Sequence, residues 1–173
     1  FYTGGNKMLP KIETILYTTD LEESALYVFR YALALARQHQ AKIVVVHGVE
    51  PLTPYGQSLV AQYVPRDVTE KMHREARQNV KENIKKRIEE LCAQECNNTP
   101  SCENAVSAIH VVEGYPSQVI LDLAKDCSAD LIVMGEYAHS IISEIMIGST
   151  TRKVLHNAAQ PVLVVKIPKG FKK

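Results

Sequence analysis

Short runs of consecutive apolar residues alternate along the chain with longer stretches in which apolar positions recur every three or four residues. The runs lie at residues 12–17 (IETILY), 43–46 (IVVV), 105–113 (AVSAIHVVE), 131–134 (LIVM) and 162–166 (VLVVK). Their β-branched content predicts strands, and the near-continuous apolar character of 43–46 and 131–134 predicts strands covered on both faces. Between them, Ala25, Val28, Phe29, Ala32, Leu35 and Ala36 share one face of a helix predicted from Glu22 to about His39. Val68, Met72, Ala76, Val80, Ile84, Ile88 and Leu91 form a four-residue stripe on a long second helix, opened by Asp67 and Glu70 at the spacing of a capping-box variant. Val119, Ile120, Leu123, Ala124 and Cys127 mark a third helix after Gly114-Tyr115-Pro116, and a short amphipathic segment opens at Gly148-Ser149-Thr150.

This βαβαβαβαβ series predicts a single α/β domain: an open, doubly wound sheet of five mainly parallel strands with helices on both faces, because right-handed crossovers place helices there. The 173 residues, 46% of them hydrophobic, suffice for one substantial core. Residues 1–7 (FYTGGNK) read as sequence foreign to the fold ahead of a native start at Met8, so the domain is expected to span 8–173. Residues 50–65 hold Pro51, Pro54, Gly56 and Pro65 and read as too broken for regular structure over most of their length: a flap, a partner-facing loop bearing Tyr55 and Tyr63, or a plain connector.

Candidate chemistry gathers where apolar runs stop. Thr18-Thr19-Asp20 closes the first strand with small polar groups and a carboxylate, Gly48 follows the second, and Gly135 ends the fourth. Thirteen residues later, Gly148, Ser149 and Thr150 present backbone N–H groups and hydroxyls at a predicted helix start, an arrangement that attracts anions such as phosphate. In open parallel sheets ligands sit beyond the carboxyl ends of the strands at the switch point. With the first and fourth strands adjacent there, Asp20 and Gly135 meet at its mouth. Asp20 and Ser149 each have a plainer reading as helix caps, and His47, His110 and His139 read as structural or solvent-facing rather than catalytic.

Charge and cysteines narrow the partners. The 20 basic and 19 acidic residues leave a formal net charge of +1, so no global field draws nucleic acid or an anionic membrane. The long helix interleaves Lys71, Arg74, Arg77, Lys81, Lys85, Lys86 and Arg87 with Glu75, Glu82, Glu89 and Glu90, which reads as a solvated surface. No run reaches the ~18 to 20 apolar residues of a membrane span, and a soluble, cytoplasmic protein is expected. Cys92, Cys96 and Cys102 match no common zinc spacing, and reduced thiols are expected, with a Cys96–Cys102 disulfide open under oxidation.

Together the ILYTTD start, the VVVHGVE second strand, the VVEGYPSQVILDLAKDCSADLIVMG block and the G-x2-A-x9-GST-x3-V ending in PVLVVK resemble the universal stress protein family over residues 12–167. The resemblance implies a Rossmann-like strand order of 3-2-1-4-5 and a site for ATP, or for AMP or ADP, with Mg2+ accompanying a triphosphate. It implies Thr18, Thr19, Asp20, Gly48 and Met134 around the nucleoside, and Gly135, Ala138, Gly148, Ser149 and Thr150 toward phosphate. It further implies a homodimer formed through the last strand, with Val162 and Lys166 at its ends. Ala138 replaces the second glycine of the family's G-x2-G-x9-G-[ST] pattern, Glu136 adds a negative charge, and no Lys or Arg lies within 135–151. Three functions follow: a stress-response regulator that binds an adenine nucleotide, a nucleotide-independent interaction protein with a degenerate site, and a slow ATPase. The last is least favoured, because no nucleophile with an adjacent base, paired carboxylates or arginine clamp accompanies the phosphate loop.

Overall fold

The computed structural model describes residues 9–22, 24–51, 53–63, 66–96, 104–136 and 147–168. Ala138 and His139, residues 1–7 and the Cys102 end of the suggested disulfide lie outside them. The elements run β1 (Thr14–Thr18), α1 (Ala25–His39), β2 (Lys42–Val49), α2 (Pro54–Tyr63), α3 (Arg66–Cys96), β3 (Val106–Glu113), α4 (Pro116–Asp126), β4 (Leu131–Gly135), α5 (Ser149–Asn157) and β5 (Val162–Val165).

The strands form one sheet in the order β3-β2-β1-β4-β5, every neighbouring pair parallel. β1 holds the centre because all three of its inner residues are apolar. Ile15 and Tyr17 face one side and Leu16 the other, and none is more than 2% exposed. The first side packs Val28, Phe29, Ala32, Leu33 and Ala36 of α1 with Ile84 and Ile88 of α3. The second packs Val119, Ile120 and Ala124 of α4 with Val154 of α5. Two separate apolar layers on one sheet are the physical content of a doubly wound fold. At the opposite end of the sheet from the strand tips, Asp130 Oδ2 accepts the backbone N–H groups of Glu13 (2.8 Å) and Thr14 (2.9 Å), tying the entry of β4 to that of β1.

Three elements depart from expectation. Residues 54–63, read as too broken for regular structure, form helix α2. Pro54 occupies its first position, where a missing N–H and fixed φ cost nothing, and Thr53 Oγ1 caps the turn by accepting the Gly56 N–H at 3.2 Å. In α3 the apolar stripe stops contributing toward its start. Ile84 and Ile88 are buried and Val80 partly so, but Met72 is 59% exposed. A helix of 31 residues is about 46 Å long, more than twice the length of a five-residue strand, and overshoots the sheet it covers. Helix α1 starts at Ala25 rather than Glu22, because the side chains of Thr19 and Asp20 first build a separate turn.

Candidate functional site

Beyond the carboxyl ends of β1, β2 and β4 lies a cavity of about 420 Å3, within the ordinary range for small-molecule pockets. Thr18, Thr19 and Asp20 line it from the end of β1 and the turn after it, Val46, His47 and Gly48 from β2 with Glu50 just past it, and Met134 and Gly135 from β4. Three helix starts close on it: Ser24 and Ala25 before and at the head of α1, Pro116 at the head of α4, and Gly148, Ser149, Thr150 and Thr151 at α5. Glu22, Val28 and Ile120 complete the lining. Of the ten residues expected at a nucleotide site, the nine that are described all meet here, and Ala138 is outside the described residues.

The β1–α1 turn owes its shape to side chains from several elements. Thr19 N–H donates to Val46 O at 3.0 Å, continuing the β1–β2 ladder one residue past the strand. Thr19 Oγ1 then accepts the Leu21 N–H at 3.1 Å, and Asp20 Oδ1 accepts the Glu22 N–H at 2.9 Å. These bonds hold Leu21 at φ 68°, a left-handed conformation that few branched side chains adopt without support. Asp20 is therefore the hinge of a local turn and not the N-cap of α1, a place taken by Ser24. Its second carboxylate oxygen accepts no hydrogen bond among the described residues. From β2, His47 Nδ1 lies 2.8 Å from Thr19 O. Since a carbonyl only accepts, this fixes the proton on Nδ1. The histidine is structural, as its sequence context suggested, yet it also lines the cavity. Tyr17, buried beneath the turn, donates from its hydroxyl to Ala25 O at 2.7 Å. Burial pushes its phenol well above the ordinary range, with a bond to Thr19 acting the other way and the Asp20 charge adding to the rise.

At the other wall, Gly148 is the N-cap of α5 with φ −53° and ψ 152°, and as a glycine it brings no side chain to the cap. Ser149 is thus the first helical residue rather than the cap. The opening N–H groups of α5 have no intrahelical acceptor by construction of any helix start, and they border the cavity. Buried Thr151 ties this turn to β4, its Oγ1 donating to Gly135 O at 3.4 Å, while Glu136 N–H donates to Val165 O at 2.9 Å and holds the β4 tip against β5.

Gly48 and Gly135, which the resemblance implies at a nucleotide site, each have a packing reason as well. A Cβ on Gly48 would stand 2.9 Å from the Cα of Pro116, and one on Gly135 would stand 3.0 Å from Val28 Cγ2. Both absences let helices seat against strand tips. The electrostatics are mixed: Asp20, Glu22 and Glu50 bring carboxylates, no Lys or Arg lines the cavity among the described residues, and the three helix starts supply partial positive charge. Pro116 was legible in hindsight as a helix-opening proline; Glu22, Glu50 and Val28 carried no motif.

A family model described as the universal stress protein family matches residues 11–166. A universal stress protein of Methanocaldococcus jannaschii is 28% identical over 164 residues, covering 88% of this chain and 93% of that protein. The solved universal stress protein UspA from Lactobacillus plantarum superposes with a TM-score of 0.64 at 25% identity, covering 90% of this chain and 98% of its own. A universal stress protein solved in complex with cAMP shares the fold at a TM-score of 0.53 and 22% identity, covering 90% of this chain and 97% of its own. The sheet order, the site at the strand tips and the match over nine-tenths of the chain agree: this chain belongs to the universal stress protein family.

Proposed function

We propose that the protein is a stress-response regulator that binds an adenine nucleotide, ATP or AMP, in the cavity at the strand tips. The carrying observation is that residues from positions 18 to 151 converge on one cavity bordered by three helix starts. In this reading Thr18, Thr19, Asp20, Gly48 and Met134 surround the nucleoside. Asp20 accepts from ribose hydroxyls or the adenine amine, and Met134 offers a polarizable apolar contact. Gly135, Gly148, Ser149 and Thr150 face phosphate, where α5 N–H groups and the Ser149 hydroxyl donate. Mg2+ would accompany a triphosphate, since it is commonly held by one or two carboxylates together with phosphate oxygens, and Glu22 and Glu50 are carboxylates that line the cavity. A homodimer would form along β5, which pairs with β4 on one side only among the described residues.

Calorimetric titration with AMP and with ATP plus Mg2+ should give saturable binding. Ser149→Ala should weaken it roughly 10- to 100-fold, the scale of one hydrogen bond to a charged group, and Gly148→Val should weaken it further. No saturable binding by the wild type to either nucleotide sinks the proposal. Sedimentation equilibrium of wild type against Val164→Lys tests the β5 dimer.

One observation favours a second reading, a nucleotide-independent interaction protein. Tyr55, Leu59 and Tyr63 recur every four residues on α2 and are 75%, 41% and 80% exposed. Such an apolar stripe suits protein contact. Recovery of an adenine nucleotide from the purified protein, detected by mass spectrometry, would count against it.

A further inference from the structure

We infer that Arg87, on the long helix α3 and outside the cavity, is the positioning residue that sets the Asp20 carboxylate for ligand; the inference rests on the proposed nucleotide site. Its charge pattern alone placed Arg87 on a solvated surface, but its Nη1 donates to Leu21 O, 66 positions earlier in the chain. The acceptor belongs to the left-handed residue of the β1–α1 turn. On the other flank of Asp20, His47 Nδ1 donates to Thr19 O at 2.8 Å. The carbonyls immediately before and after Asp20 are therefore both held by side chains from other elements, one from β2 and one from α3.

The linkage to the carboxylate is short. The Leu21 carbonyl and the Glu22 N–H belong to one peptide plane, which is rigid. Arg87 fixes that plane from the carbonyl side, and Asp20 Oδ1 accepts from its N–H at 2.9 Å. Holding the plane fixes Oδ1, and with it the direction of Oδ2, the oxygen left for a ribose hydroxyl or an adenine amine. Releasing the plane lets Leu21 leave φ 68°, a conformation uncommon for its residue type, and Asp20 loses its internal partner. The base of α3 does not move with it, because Ile84 and Ile88, a turn before and next to Arg87, are buried in the core. A guanidinium suits this task better than an ammonium, since its planar fork loses less freedom per bond formed.

The test separates this inference from the nucleotide reading. In the unliganded protein, amide hydrogen exchange of Glu22 should quicken about tenfold or more in Arg87→Ala and recover in part in Arg87→Lys, while exchange at Ile84 and Ile88 stays as in the wild type. Unchanged exchange at Glu22, or loss of protection throughout α3, overturns the assignment. In AMP titrations Arg87→Ala should weaken binding about 3- to 10-fold, and in an Asp20→Ala background it should change affinity less than twofold. Additive losses in the double variant overturn the inference, since they mean Arg87 acts by a route other than Asp20. Absence of AMP binding by the wild type would remove the nucleotide reading, and the exchange data alone would then decide whether Arg87 orders the turn.

Discussion

Substituting Gly48 by alanine tests whether this glycine serves packing or ligand. The added Cβ would stand 2.9 Å from Pro116 Cα and 3.3 Å from its Cβ. The nearer atom is backbone, so no side-chain rotation relieves it. Helix α4 cannot simply back away, because Val119, Ile120 and Ala124 anchor it in the second apolar layer. Overpacking of this kind costs about 1 to 3 kcal/mol, and reduced freedom of the unfolded chain returns about 0.4 to 1 kcal/mol. A net loss of about 1 to 2 kcal/mol is expected. Gly135→Ala differs because its Cβ would meet a side-chain methyl, Val28 Cγ2 at 3.0 Å, with Ile167 Cδ1 at 3.7 Å. It should cost less, about 1 kcal/mol at most, and Val28→Ala should relieve it while no truncation at position 116 rescues Gly48→Ala. Urea unfolding of ligand-free protein is the assay. With a slope near 2 kcal/mol per molar, the Gly48→Ala midpoint should fall by about 0.5 to 1 M. A Gly48→Ala midpoint within error of wild type, or a larger loss for Gly135→Ala, would refute the packing account of these glycines.

Two further outcomes follow from polar contacts of Tyr17, which is buried, and Asp130, which is half-buried. Tyr17 keeps its proton in the folded protein to a pH above its ordinary value of about 10, whereas the unfolded chain releases it there. Its stabilising contribution is complete below pH 10. Above it the unfolded state binds fewer protons, and stability falls by up to about 1.4 kcal/mol per pH unit. Urea midpoints at pH 9, 10 and 11 should decline more steeply for wild type than for Tyr17→Phe, and equal slopes would contradict the burial argument. Asp130→Ala removes the acceptor for the Glu13 and Thr14 N–H groups and should cost about 2 kcal/mol; Asp130→Asn, which keeps an oxygen there, should cost less than half of that in the same urea assay.

The fold was legible because burial on both faces leaves a plain mark. Ile15, Leu16 and Tyr17 have to be apolar in succession when helices cover each side of β1, and the same holds for residues 131–134 of β4. The cavity's outline was legible as well, since each strand tip announces itself where an apolar run ends. What the apolar pattern does not carry depends partly on side-chain bonds two or three residues away and partly on contacts distant in sequence. Pro54 and Gly56 look like breaks until Thr53 is seen capping them. The α1 start moved three residues because two side-chain oxygens, on Thr19 and Asp20, compete with the helix for the N–H groups of Leu21 and Glu22. Met72 repeats the helical period faithfully, but periodicity carries no information on where the facing sheet ends. Gly48 and Gly135 line the cavity, but their packing reason is one that only Pro116 and Val28 disclose. Arg87 shares its charge pattern with neighbours that face water, and nothing local distinguishes the guanidinium that reaches Leu21.

The central place of β1 has a consequence for synthesis. β1 pairs with β4 across an interval of 116 residues, as at Ile15 and Leu131, and the far wall of the cavity reaches Thr151. As the chain emerges from the ribosome, N-terminal end first, β1, α1 and β2 can associate early, since β2 follows β1 closely. The sheet's middle nevertheless stays open on one side until β4 arrives, and long-range parallel pairing is slow to form. No shortened chain ending before α5 can hold a complete cavity. Any ligand that stabilises the fold through this cavity therefore acts after nearly the whole domain has been made, favouring finished molecules over every partial one.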